Sequence, residues 1–99
     1  MEEQKQHYLG HRERLKKKLL ENGSESFADY ELLELLLTIA IPRRDVKPLS
    51  KELITKFKTF GGVINASPSQ LMEIKGVGET VVATFKIIQS AITKTLKDK

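Results

Sequence analysis

The sequence predicts an all-α protein, a compact bundle of about five helices. No segment of the 99 residues alternates apolar and polar side chains with the period of two that a half-buried strand shows. Apolar residues instead recur at helical spacing, and the last such stripe consists of Val81, Phe85, Ile88 and Ile92. Glycine, proline and capping residues separate the apolar segments. We expect one helical domain over 1–99, ordered over about 8–96.

The first two helices are separated by a short polar turn. The first is predicted over 8–21, and the glycine in 22–23 ends it because glycine adopts the left-handed conformation without steric cost. The second begins near 26–29, where a Ser-x-x-Asp sequence offers side-chain oxygens to the first turn. It is apolar almost all round over 32–41, which indicates a central buried helix, and Pro42 ends it.

Three further helical segments complete the bundle. The third helix is predicted over 45–57, with an aspartate as its cap and a proline in its first turn, where proline is tolerated. The glycine pair at 61–62 allows a tight corner into a short helical turn. A Ser-Pro start predicts the next helix over 67–74, and the last helix is predicted over 79–96.

The side chains of the first helix divide between a core face and a solvated surface. The face predicted toward the core carries Tyr8, Leu15 and Leu19, whereas Arg12 and the other cations lie elsewhere. His7 and His11 are one turn apart, so both rings could face one metal ion. Zinc needs further ligands, however, and we expect both histidines to be merely solvated.

The charge of the chain is uneven, with a formal net charge of +4 at pH 7. Residues 1–46 carry eight Lys and Arg against nine Asp and Glu, whereas residues 47–99 carry nine Lys against four Asp and Glu. The second half would therefore attract a polyanion. The alternative is a lysine-rich helical surface that is only solvated.

Several classes of protein are excluded or unexpected. The chain has no cysteine, which excludes disulfide scaffolds and thiolate metal sites. The longest apolar stretch, 32–41, falls well short of the roughly 20 residues that span a bilayer, so we expect a cytoplasmic protein without membrane contact. No nucleotide-binding glycine loop, metal cluster or catalytic constellation is recognisable, so neither an enzyme nor a cofactor is expected.

The sharpest feature of the sequence is the connection Lys75-Gly76-Val77-Gly78 between the last two helices. So short a connection forces an αα-hairpin, and we expect both glycines to adopt positive φ. The valine between them is expected to tuck back between the helices. An anion site then forms at the start of the last helix, where the helix dipole is positive and backbone N–H groups lack internal partners. The amides expected to converge there are those of Val77, Gly78, Glu79 and Thr80.

This segment resembles the helix-hairpin-helix DNA-binding motif, placed here at 67–96. The matching residues are Leu71, Ile74, Lys75, Gly76, Val77 and Gly78, followed by a helix. The resemblance implies that the turn binds the sugar-phosphate backbone without reading bases, and that a monovalent cation could sit on the hairpin carbonyls. Lys75 and Lys86 are the expected charge partners of the phosphates. The alternative is a tight glycine turn that binds nothing.

A wider resemblance covers residues 8–93 and concerns the N-terminal domain of the RadC-like bacterial DNA repair family. It rests on three blocks in order, Gly10-His11-Arg12-Glu13-Arg14-Leu15, the segment 29–37, and Ile41-Pro42-Arg43-Arg44-Asp45-Val46-Lys47-Pro48. Members of that family normally continue into a zinc-metalloprotease-like domain of the JAB/MPN type, of which the 99 residues contain none. The resemblance implies a role in DNA repair, with duplex or branched DNA as the partner.

Within this resemblance, the region 29–57 looks like a degenerate first copy of the hairpin. Pro42-Arg43-Arg44 then replaces the Gly-Val-Gly turn, and both turns could approach adjacent phosphates of one duplex. Arg43 and Arg44 could add charged hydrogen bonds to phosphate. Alternatively, they pair on the protein surface with Glu31, Glu34 or Asp45.

The function expected from these features is a DNA-binding module without sequence specificity. The alternative is an interaction module that docks a separate catalytic domain, such as one of the JAB/MPN type.

Overall fold

A computed structural model describes the backbone of residues 2–98 and the side chains of residues 9–98. Within this range the chain forms six α-helices and one 3-10 turn at Ser24–Ser26, with no β-strand, which confirms the all-α prediction. The helices are α1 (Glu2–Asn22), α2 (Asp29–Ala40), α3 (Lys47–Phe57), α4 (Phe60–Ile64), α5 (Pro68–Met72) and α6 (Glu79–Lys97). No helix in the described range is long and apolar enough to cross a membrane.

Helix α2 lies at the centre of the bundle, as its apolar sequence predicts. It packs against α1, α3, α4 and α6. The core around it is built from side chains that are fully or almost fully removed from solvent, among them Leu33, Leu37, Leu53, Val63, Leu71 and Phe85. Burial of such side chains contributes about 1.5–3 kcal/mol each. One apolar residue of α2 departs from the expectation, because the side chain of Ile39 remains 75% exposed.

Several helix boundaries follow from the local signals in the sequence. Gly23 has φ 73° and donates its N–H to the carbonyl of Leu19 at 2.9 Å, which ends α1 in the predicted way. Ser67 caps α5 by accepting from the amide of Gln70, whose side chain accepts in turn from the amide of Ser67. The N-cap of α3 is Val46 rather than the predicted Asp45, which lies one residue earlier and accepts from the amide of Lys47 at 3.1 Å.

Other boundaries differ from the prediction. Helix α1 already begins at Glu2, α5 ends at Met72 rather than at residue 74, and α4 is a five-residue helix rather than a turn. Thr59 explains α4, because its hydroxyl accepts from the amide of Gly62 at 2.9 Å and caps the helix.

The capping of α2 is a correction with consequences for the fold. The predicted Ser26–Asp29 box does not form, since the N-cap is Ala28, whose amide donates to the carboxylate of Glu31 at 3.0 Å. Asp29 lies inside the first turn and accepts instead from the amide of Phe60 at 2.9 Å. The carboxylate therefore joins α2 to the start of α4 rather than serving its own helix.

Candidate nucleic-acid interface

The connection between α5 and α6 forms a tight turn over residues 73–78. Gly76 has φ 100°, the left-handed conformation predicted for it. Val77 is buried and belongs to the hydrophobic core, so the predicted return of this side chain between the helices is confirmed. Its amide donates to the carbonyl of Ile74 at 3.1 Å and is therefore not directed outward, contrary to our expectation.

Gly78 contradicts the prediction of a second positive φ. It is the N-cap of α6, with φ −115° and ψ −170°, an extended conformation that any residue can adopt. A single left-handed residue at Gly76 is sufficient to reverse the chain, and an N-cap normally has extended backbone. An added Cβ at position 78 would meet no atom within 4 Å, whereas the space at Gly76 is filled.

The start of α6 presents backbone donors to solvent. The amides of Gly78, Glu79 and Thr80 donate to no acceptor within the described part of the chain, and no side chain caps this helix. All three residues are exposed. These groups lie at the positive end of a 19-residue helix, an arrangement suited to binding an anion.

Arg44 lies beside this turn, although it is 32 residues away in the sequence from Gly76. A Cβ added to Gly76 would lie 2.7 Å from Nη2 of Arg44 and 3.8 Å from Cδ1 of Leu49. The loop between α2 and α3 is therefore packed against the α5–α6 turn, and it brings a guanidinium to the turn. Arg44 forms no ion pair with any residue whose side chain is described.

Each acid proposed as an alternative partner of the arginines has a contact with another residue. Glu31 lies 3.6 Å from Nζ of Lys18, and Glu34 lies 2.9 Å from Nε2 of His11. Asp45 accepts from the backbone amide of Lys47. Arg43 is exposed next to Arg44.

The two lysines that the sequence predicts near the phosphates differ in position. Lys75 is exposed in the turn itself. Lys86 is half-buried seven residues into α6, about 10 Å along the helix axis from its start, and its Nζ lies 3.5 Å from Oε1 of Gln89. The structure therefore does not bring Lys86 to the turn.

Arg12 is a residue of this region that the sequence analysis missed. The sequence pattern places it on the solvated surface of α1, yet it is only 8% exposed. Its guanidinium donates to the backbone carbonyls of Ile41, Pro42 and Arg44 in the α2–α3 loop. A signal was present, because Arg12 lies three residues before Leu15 and therefore on the face of α1 that packs against the core.

His11 is likewise not merely solvated. Its Nε2 lies 2.9 Å from Oε2 of Glu34, whose side chain is 3% exposed. Burial raises the pKa of the Glu34 carboxyl above its ordinary value, although the nearby charges of His11 and Lys47 oppose the rise. The side chain of His7 lies outside the described residues, as does that of Tyr8. No group of three potential metal ligands is found among the described side chains.

A second surface feature is an apolar groove between α1 and α2, which we call the α1–α2 groove. Its volume is about 370 Å³, and its lining includes Leu19, Leu20, Leu35, Leu36, Ile39 and Phe60. Leu20 is 86% exposed and Ile39 is 75% exposed. These two side chains therefore form part of an exposed apolar surface.

Fold and site together define a small all-α domain with an exposed, amide-rich turn beside an arginine loop. The chain belongs to the UPF0758 N-terminal family, whose model matches residues 7–83. It is 44% identical to a UPF0758 protein of Fusobacterium nucleatum over 90 residues, which are 91% of this chain and 39% of that protein. A UPF0758 protein of Rhodobacter capsulatus is 45% identical over 85 residues, 86% of this chain and 40% of the relative. A UPF0758 protein of Ruegeria pomeroyi is 44% identical over 81 residues, 82% of this chain and 36% of the relative.

The chain thus spans about two fifths of the length of these relatives. No solved structure matches the chain.

Proposed function

We propose that this domain binds DNA through its phosphate backbone, without sequence specificity, at the turn between α5 and α6. The observation that carries the proposal is the set of three amides without internal partners, which belong to the exposed residues Gly78, Glu79 and Thr80 at the start of α6. Helix starts of this kind bind phosphate because N–H groups and the helix dipole act together.

The surroundings of these amides support the proposal. Gly78 has no side chain, so a phosphate can approach the backbone closely, although the local conformation would accept any residue. Lys75 lies in the turn, and the guanidinium of Arg44 lies against Gly76. Arginine binds phosphate through planar paired hydrogen bonds, which adds charge and geometry to the backbone donors.

The binding proposed here reads no bases. Contacts to phosphate fix the position and orientation of a protein on a duplex but carry no sequence information. Arg43 lies in the same loop as Arg44 and adds a second exposed cation. Lys86 would contact only DNA that extends along α6. The carboxylate of Glu79 opposes binding, since it is an exposed acid in the first turn of α6.

The resemblance to the helix-hairpin-helix motif and to the RadC-like family supports the same proposal. In that interpretation, the α2–α3 loop takes the place of a first hairpin, and its contact with Gly76 places the two turns side by side. The role in DNA repair follows from the family resemblance and is part of the proposal.

The proposal is tested by fluorescence anisotropy with a labelled duplex of about 20 base pairs at low salt. We expect a dissociation constant in the range of about 1–100 μM at physiological salt, tighter at low salt and equal for unrelated sequences. Lys75→Glu and Gly78→Asp should each weaken binding by roughly tenfold. Aspartate is a good N-cap, so Gly78→Asp places a negative charge in the anion site without loss of helicity.

The matched control is Lys97→Glu, which makes the same change of charge at the other end of α6, about 27 Å away. It should change the affinity by less than about twofold at physiological salt, where charges are screened beyond about 8 Å. Absence of binding at low salt, or binding that neither turn variant weakens, contradicts the proposal.

A second candidate function is docking of another protein domain, and the α1–α2 groove favours it. The occupant we propose is a metalloprotease-like domain of the JAB/MPN type, which the resemblance to the RadC-like family implies. The relatives are longer than this chain, and the groove exposes Leu20 and Ile39. Calorimetric titration of this chain with the remaining part of the Fusobacterium nucleatum relative tests it. Heat of binding that Ile39→Asp abolishes supports docking, and absence of heat with the unaltered chain contradicts it.

A further inference from the structure

Arg12 connects helix α1 to the loop that carries Arg44. Its side chain is buried, and its guanidinium donates to the carbonyls of Ile41, Pro42 and Arg44. Helix α2 ends at Ala40 and α3 begins at Lys47, so these carbonyls lack helical partners. A guanidinium with five N–H donors in a fixed plane can bond several of them at once.

The loop that Arg12 holds also contacts the α5–α6 turn, through the side chain of Arg44. The guanidinium of Arg44 lies against Gly76, so close that a Cβ on this glycine would be 2.7 Å from Nη2. The exposed amides begin two residues later, at Gly78. Arg12 thus holds the backbone of Arg44, and the side chain of Arg44 reaches the turn.

A direct role of Arg12 in binding is excluded by its position. A residue that is 8% exposed and bonded to three internal carbonyls does not present its charge to a phosphate. The neighbouring Arg14 is exposed on the same helix and provides a comparison, since it has the same charge without these bonds.

We infer that Arg12 is a positioning residue for phosphate binding, which fixes the α2–α3 loop so that Arg44 stands beside the amides of α6. This inference rests on the proposed function. It assigns to a buried arginine of α1 an effect on affinity that acts through Arg44 and not through the charge of Arg12 itself.

A double-mutant cycle tests the inference, with duplex affinity measured by anisotropy at 10 °C and helicity checked by circular dichroism. Arg44→Gln and Arg12→Gln should each weaken binding by about three- to tenfold. The double variant should be no weaker than Arg44→Gln alone, because without Arg44 the loop no longer places a guanidinium against Gly76. Additive losses would show that Arg12 acts independently, and they would overturn the inference.

Two further variants separate positioning from charge. Arg12→Lys keeps the charge but has a single ammonium that cannot reproduce the planar set of bonds, so it should bind about as weakly as Arg12→Gln. Arg14→Gln removes an exposed charge from the same helix and should change affinity by less than about twofold. Full affinity of Arg12→Lys, or loss of the fold in both Arg12 variants, would overturn the inference.

The outcomes also separate this inference from the proposed function. Absence of binding by the unaltered chain contradicts DNA binding itself. Binding that depends on Lys75 but shows additive losses in the cycle contradicts only the role of Arg12.

Discussion

The two glycines of the α5–α6 turn have the same chemistry but different structural roles. Gly76 is left-handed and is in contact with Arg44, whereas Gly78 is extended and open to solvent. The pattern Gly-Val-Gly predicts the turn and the burial of Val77, because an apolar residue in so short a connection has only the core to contact. It does not reveal which glycine needs positive φ, since that depends on the angle at which α5 and α6 meet.

Gly76→Ala should destabilise the protein by about 1–3 kcal/mol, because alanine at φ 100° is strained and its Cβ displaces the guanidinium of Arg44. The matched control is Gly78→Ala, which should change stability by no more than about 1 kcal/mol at an extended position with free space around it. The measurement is urea unfolding followed by circular dichroism. Equal effects of the two substitutions would contradict the assignment of different roles.

Arg12 shows why part of the candidate site could not be predicted at this scale. Its partners are backbone carbonyls 29 to 32 residues away. Local spacing places a side chain on a face of a helix, but it does not show which loop crosses that face. The contact of Arg44 with Gly76 is hidden from the sequence for the same reason.

At the scale of helices, the start and end signals predict most elements because they act within one turn. Ser67 and Gly23 behave as expected, whereas Asp45 lies one residue before the N-cap of α3. The clearest exception is Asp29, whose carboxylate accepts from the amide of Phe60 and so supports a different helix. A five-residue helix such as α4 has little stability of its own, so it depends on caps from Thr59 and from its neighbours.

Asp29→Ala should therefore destabilise the protein by about 1–2 kcal/mol, through loss of the bond to Phe60 and of a negative charge near the start of α2. Asp29→Asn should destabilise the protein by about half as much, since it keeps a side-chain oxygen as acceptor. Thermal unfolding monitored at 222 nm measures both.

Glu52→Ala serves as the control for this pair, because Glu52 is exposed on α3 and forms no ion pair within the described residues. The free energy of unfolding of this variant should lie within about 0.5 kcal/mol of that of the unaltered protein. If Asp29→Ala destabilises the protein no more than the control does, the bond to Phe60 does not stabilise α4.

At the scale of the whole molecule, α1 is joined to the remainder of the bundle by polar as well as apolar contacts. Leu15 packs into the interior, Arg12 bonds to the α2–α3 loop, and His11 pairs with the buried Glu34. The all-α class could be predicted from period and capping alone. The arrangement of α1 could not, since a buried glutamate inside an apolar helix carries no local signal of its partner.

Glu34 makes the global stability depend on pH. Burial raises the pKa of its carboxyl in the folded state, so over the range between the ordinary pKa and the raised pKa the folded protein binds more protons than the unfolded chain. The contribution of Glu34 to stability is therefore lost as the pH rises through this range. Below the ordinary pKa, both states are protonated and the contribution is constant.

Glu34→Gln removes this titration and keeps the shape of the side chain. We expect the stability of the glutamine variant relative to the unaltered protein to increase as the pH rises from about 4.5 and then to level off. Urea unfolding at several values between pH 4 and pH 8 measures the difference. A difference that decreases with pH would mean that the pair with His11 outweighs burial.

The open space at Gly78 has a practical consequence. The extended backbone accepts every amino acid except proline there, and an added Cβ meets nothing within 4 Å. Substitution of Gly78 by alanine, leucine and tryptophan in turn would leave the core unchanged. Each larger side chain would occupy more of the open space on the solvent side of the turn. The size at which association is first impaired would measure the clearance between the protein surface and whatever molecule occupies it.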